Sequence, residues 1–144
     1  MIQEARDTLM RTIGEIEDLT VLPYLGQLSD PQKPDIASHT LPAVLVDFVG
    51  DEGEGETVIL RFNLYITHVT YSSNETYRKE SHAEVYGLLE QINDRLRHIT
   101  QMSVFPKQSK KIFDSNTAKG YLTIFTRAVD VHTIDEGVST WHLE

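Results

Sequence analysis

ETVILRFNLYITHVTYSS, residues 56–73, is the stretch that decides the fold. Val58, Leu60, Phe62, Leu64 and Ile66 alternate with Arg61, Asn63, Tyr65 and Thr67, the period of two that sends successive side chains to opposite faces of a strand. One face is apolar and packs; the other is wet or partnered. Fully extended, residues 57–71 reach about 50 Å at ~3.3 Å per residue, against a usual strand of about five to six residues. The strand therefore bends, or carries one end past the body.

Its neighbours follow from their own patterns. PAVLVDFV at 42–49 is apolar and β-branched, with Val44, Val46 and Phe48 on one face, and reads as a buried strand. GDEGEGE joins it to the long strand as an antiparallel pair; its glycines among Asp51, Glu52, Glu54 and Glu56 make a flexible, solvated acidic tip. Downstream, Ser72 with Glu75 three residues later reads as a capping box, opening a helix that runs to about Ile99. Val85, Leu88, Leu89, Ile92, Leu96 and Ile99 are its apolar stripe, with acidic residues early and Arg95 and Arg97 late, as the helix dipole favours. Ile2, Ala5, Leu9, Ile13 and Ile16 mark a second amphipathic helix at the start of the chain. After Pro106 the sequence predicts a short strand, Lys111 to Phe113, a turn over Asp114, Ser115 and Asn116, and a second long strand in GYLTIFTRAVDVHTI.

Helix, strand pair, helix, strand pair predicts an α+β fold: an antiparallel sheet of about four strands with two helices packed on one face, in the order α-β-β-α-β-β. The 144 residues suit a single domain spanning 1–144. Pro23, Pro31 and Pro34 make an irregular connection of about 20–41, and a short tail of about 135–144 carries Trp141, which tucks against the body or docks on a neighbour.

The charge is −9 and unevenly spread: residues 1–72 hold 12 acidic against 4 basic side chains, residues 73–144 hold 10 against 9. That balance argues against phosphate neutralisation as the main business. Zero cysteines exclude disulfide and thiol chemistry. No apolar run approaches the roughly 18 residues that span a bilayer, so no membrane partner is expected. MIQEARDTLMRTIGE is too polar for a signal peptide, so the expected compartment is a cytoplasm and the sequon Asn74-Glu75-Thr76 is an accident of composition.

Chemistry-bearing patterns are sparse. His39, His68, His82, His98, His132 and His142 lie in different elements without metal-ligand spacing and read as scattered surface residues, His68 being a strand-end side chain satisfied by a hydrogen bond. Asp130 and His132 share a strand face, where a carboxylate can orient an imidazole as a base, but no nucleophile stands at a fixed spacing from them. GDEGEGE repels phosphate rather than cradling it, and Lys107, Lys110 and Lys111 form a basic cluster too small for strong nucleic-acid binding. No cofactor, metal or catalytic residue is expected. Tyr65 and Tyr121 are expected on the exposed sheet face, where tyrosines make good interface anchors.

The N-terminal helix, LPAVLVDFVG, RFNLYITHVTYSSNE running into VYGLLEQINDRL, then IFDSN and GYLTIFTRAVDV together resemble the Mu-type family of contractile-tail phage tail terminators, over roughly residues 1–135. The architecture is also similar to that of the lambda-type minor tail protein that caps the tail tube. The resemblance implies a nonenzymatic, hexameric ring in the virion tail, assembled in the host bacterial cytoplasm. Such a ring ends tail-tube growth and meets tube, sheath and head-connector proteins, with DNA only as passing cargo. Asp51, Glu52, Glu54 and Glu56 are then candidates for the lumen or the axial contact surface, and Tyr65, Tyr121 and Trp141 for contacts between subunits. The proline-bearing loop and the Trp141 tail are departures from the family core. A different reading is an adaptor or chaperone-like module that binds a partner strand on its sheet edge.

Overall fold

The alternating run forms a strand of 14 residues, β3 (Thr57–Thr70), in a computed structural model that describes residues 1–36, 42–70, 74–118 and 120–134. Before it come α1 (Ile2–Ile13), β1 (Thr20–Pro23) and β2 (Ala43–Glu54); after it come α2 (Glu75–Arg97), β4 (Ser103–Thr117) and β5 (Gly120–Ile134). The fold is α+β, a five-stranded mixed sheet in the order β1-β2-β3-β5-β4. The four long strands pair antiparallel, and β1 runs parallel to β2.

Four antiparallel strands were expected, and three local corrections follow. The added strand, β1, lies at the head of the segment read as irregular. It escapes a pattern search because it is four residues long and ends on Pro23, a residue a sheet tolerates at its margin. β4 is 15 residues long rather than three. Asp114, Ser115 and Asn116, turn-formers by type, pair instead with Thr123, Leu122 and Tyr121, and the chain reverses after Thr117. Third, α2 begins at Glu75, with Asn74 as its N-cap accepting from the Thr76 N–H at 2.8 Å. Glu75 is therefore the first helical residue and not the third, as a box opened by Ser72 requires; Ser72 itself lies outside the described residues, as does the tail from 135 onward.

Both helices cover one face. Ala5, Leu9 and Ile13 of α1 and Val85, Leu89, Ile92 and Leu96 of α2 bury against Val44, Val46, Leu60, Phe62, Leu64, Ile66, Val129 and Val131. The predicted apolar face of β3 is this core: Leu60, Phe62, Leu64 and Ile66 are almost fully buried. α1 lies against β1 and β2, while α2 lies across β3, β4 and β5.

The second face is partly sealed by the chain itself, contrary to the expectation that it stays wet or partnered along its length. Leu28 and Ile36, from the proline-bearing segment, bury a second small core with Leu45, Leu122 and Ile124, and Tyr24, Tyr65 and Phe113 pack around it. The cover sits at the end of the sheet where β1 pairs with β2. Toward the β2–β3 turn the same face stays open, carrying Arg61, Asn63, Asp130, His132 and Phe105. Among the described residues, no helix is long and apolar enough to cross a membrane.

Candidate interaction surface

The β2–β3 hairpin ends in a two-residue turn, Gly55 and Glu56, between the paired residues Glu54 and Thr57. Gly55 sits at φ 63°, a left-handed value that glycine adopts without steric cost. Asp51, Glu52 and Glu56 are all exposed, and Glu54 belongs to β2 by its backbone. The acidic tip is thus an ordered strand pair more than a loop, with a bulge between Phe48 and Gly50 re-aiming its outer half.

The carboxylates here are not all unopposed. The Arg61 guanidinium donates to Glu52 at 2.8 Å and reaches Asp130 at 3.8 Å, tying β2, β3 and β5 together on the open face. The hydrogen bond to Glu52, with the charges of Glu52 and Asp130, raises the Arg61 pKa. Burial raises that of Asp47, further down β2. Asp130 therefore faces Arg61, while His132 packs edge-on against Phe105 at 4.8 Å, so the carboxylate that was to orient the imidazole is engaged elsewhere.

The two tyrosines are not free anchors. Tyr65 is half-buried under Tyr24, and burial raises its hydroxyl pKa, with Tyr24 and Asp47 adding to the effect. Tyr121 falls on the opposite face from the one expected. In β5 it alternates with Leu122 and so points with Thr123 and Phe125 toward α2, where the Arg78 guanidinium lies 5.3 Å from its ring centre. Burial and the neighbouring Asp114 raise its pKa, and Arg78 opposes them. Trp141 lies outside the described residues.

At the opposite margin, β4 presents Lys107, Lys110 and Lys111, all exposed, with register shifts between Pro106 and Ser109 and between Lys111 and Phe113. Charges, a proline and bulges are the devices by which sheets blunt an edge against indiscriminate pairing. Lys111 also reaches Asp114 at 3.3 Å.

Two polar clusters under α2 were missed in the sequence. His68 makes the hydrogen bonds expected of it, but from a buried position and not as one of the scattered surface histidines. Its Nε2 meets Glu84 at 2.5 Å and its Nδ1 meets Ser81 Oγ at 2.6 Å. In the neutral ring Nε2–H donates to the carboxylate and Nδ1 accepts from the hydroxyl. His68 and Ser81 are buried, and the hydrogen-bonded trio ties α2 to β3. Asp114 collects His82 Nε2 at 3.0 Å and Thr123 Oγ1 at 2.9 Å. Burial alone would raise its pKa, but the hydrogen bonds from His82 and Thr123, the His82 charge and Lys111 together lower it. The i, i+3 step from Ser81 to Glu84 is the one signal that could have pointed to the first cluster; nothing local marks the second. Among the described residues, no three His, Asp or Glu side chains are placed to hold a metal ion.

No protein-family model matches the chain, and no curated protein matches it either.

Proposed function

We propose that this protein is a structural component of a phage or prophage tail, a tail-terminator-like subunit that assembles into a ring, ends tail-tube growth and joins the tail to the head connector. The observation that carries this reading is the acidic β2–β3 hairpin. Asp51, Glu52 and Glu56 stand exposed on a strand pair of 12 and 14 residues, while both helices are gathered on one face. A passage lined by such hairpins repels the DNA backbone, so a duplex slides through without adhering. The likeness of the strand and helix patterns to the Mu-type tail terminators supports the same role.

The test is electron microscopy of the purified chain with its tail-tube protein. Rings seated on tube ends and tubes of limited length are expected. Unlimited tube growth with no rings overturns the reading. A strand-binding adaptor is the second reading, favoured by the outer edge of β2 beyond Val46, where β1 stops and no other strand covers it among the described residues. It predicts a monomer that gains affinity for an extended peptide and leaves tube length unchanged.

A further inference from the structure

The two margins of the sheet carry opposite charge. β1 covers β2 only from Ala43 to Val46, and Tyr24 N–H closes that cover on the Val46 carbonyl at 2.9 Å. Beyond it, residues 47–53 of β2 have no strand on their outer side among the described residues, and this edge carries Asp47, Asp51 and Glu52. The other margin is β4, which among the described residues pairs with β5 alone and carries Lys107, Lys110 and Lys111. Each margin also has a bulge that shows an aliphatic side chain: Val49, 51% exposed, on β2 and Ile112, 46% exposed, on β4.

We infer that the free edge of β2 receives the β4 edge of a second copy of this chain, so that copies add head to tail through their sheets. Edge-to-edge pairing of like margins sets carboxylate against carboxylate or lysine against lysine, which disfavours a two-fold dimer; only unlike margins match. Strand direction agrees. β2, β3, β5 and β4 alternate, so β4 runs opposite to β2, and a neighbour added with the same face outward forms an antiparallel ladder.

The register sets a stagger. Lys110 is level with Thr126, Tyr65 and Leu45 across the sheet, whereas the free acidic edge is centred near Asp51. Bringing the lysines to that edge displaces the neighbour by about six residues, roughly 20 Å, for a subunit four long strands or roughly 19 Å wide. That corresponds to a strand tilt near 45°, the upper end of the range roughly 35–45° found in closed barrels. The amount of slip the charges ask for is one a closing ring of sheets can supply.

The inference rests on the ring reading for its partner, and the test separates the two. The chain contains no cysteine, so Val49→Cys and Ile112→Cys are the only thiols in each variant. With the tube protein present and under oxidation, a mixture of the two variants should give a disulfide-linked dimer, each variant alone none, and the double variant a ladder. Rings without the 49–112 crosslink overturn this interface and leave the ring reading standing. Crosslinks without rings support the interface and overturn the ring. Val49→Cys linking to itself marks a two-fold contact and overturns the inference. Charge exchange gives a second measurement. Lys107→Glu/Lys110→Glu and Asp51→Lys/Glu52→Lys should each associate at least tenfold more weakly than the parent, and their equimolar mixture should recover assembly. Failure of the mixture to recover, with both variants folded, overturns the inference.

Discussion

Tyr24 stacks on Tyr65 with ring centroids 4.5 Å apart and planes 25° from parallel, joining the proline-bearing segment to the middle of the sheet's second face. Around this pair Leu28 and Ile36 reach Leu45, Leu122 and Ile124. Tyr24→Ala removes the stack and opens a hole beside that small core, so a loss of about 2 kcal/mol is expected. Chemical denaturation measures it, and amide exchange should quicken across residues 20–36. Leu25→Ala, at a side chain 79% exposed, should stay within about 0.5 kcal/mol of the parent.

Asp114 gives the fold a pH dependence with a defined sign. Its carboxyl pKa is lowered in the folded state by His82, Thr123 and Lys111 acting against burial. A depressed folded value means that the ionised group stabilises the fold above its unfolded pKa, about 4, and that this contribution disappears as pH falls through the lower folded value. Asp114→Asn should therefore cost about 1 kcal/mol at neutral pH. The gap between variant and parent should close in acid, in denaturation curves taken from pH 7 down to about pH 2.

These contacts divide the fold into what local pattern reveals and what it does not. The core face of β3 is legible because Leu60, Phe62, Leu64 and Ile66 repeat every second residue against one layer of helices. β4 is not. Lys107, Gln108, Ser109 and Lys110 have no strand character of their own; Ser109 and Lys110 are held extended by pairing with β5, and Lys107 and Gln108 fall in the irregularity between Pro106 and Ser109. Leu28 and Ile36 are single apolar residues in a proline-rich stretch, and their burial depends on a sheet face formed by distant strands. For the candidate surface, the exposure of the acidic tip is legible because its carboxylates and glycines are neighbours in sequence. The opposition of charge between margins exists only once the strand order places β2 and β4 near opposite sides.

Core and tip should respond oppositely to charge. Leu64 is 0% exposed, and Leu64→Asp places an unpaired carboxylate among Val46, Phe62 and Ile92. The expected outcome is loss of the folded state, seen as a collapsed circular-dichroism transition, since burying an isolated charge costs several kcal/mol, about the whole stability of a domain this size. Glu52→Lys removes an exposed ion pair with Arg61 and should cost less than about 1 kcal/mol. Unfolding of the Glu52 variant would contradict the placement of the hairpin on the surface.

The Ser81–His68–Glu84 chain should prove structural, and its members should differ in weight according to burial. Ser81 is 3% exposed and its hydroxyl meets His68 Nδ1, so Ser81→Ala leaves a buried ring nitrogen without that partner. A cost of about 1–2 kcal/mol is expected. Glu84 contacts the same ring from a side chain that is largely in solvent, where water replaces a lost carboxylate, so Glu84→Ala should cost less than about 1 kcal/mol. Denaturant midpoints for the two variants check the order. If Glu84→Ala were the costlier change, α2 would be held to β3 by the carboxylate contact at the surface, and the buried hydroxyl contact would be secondary.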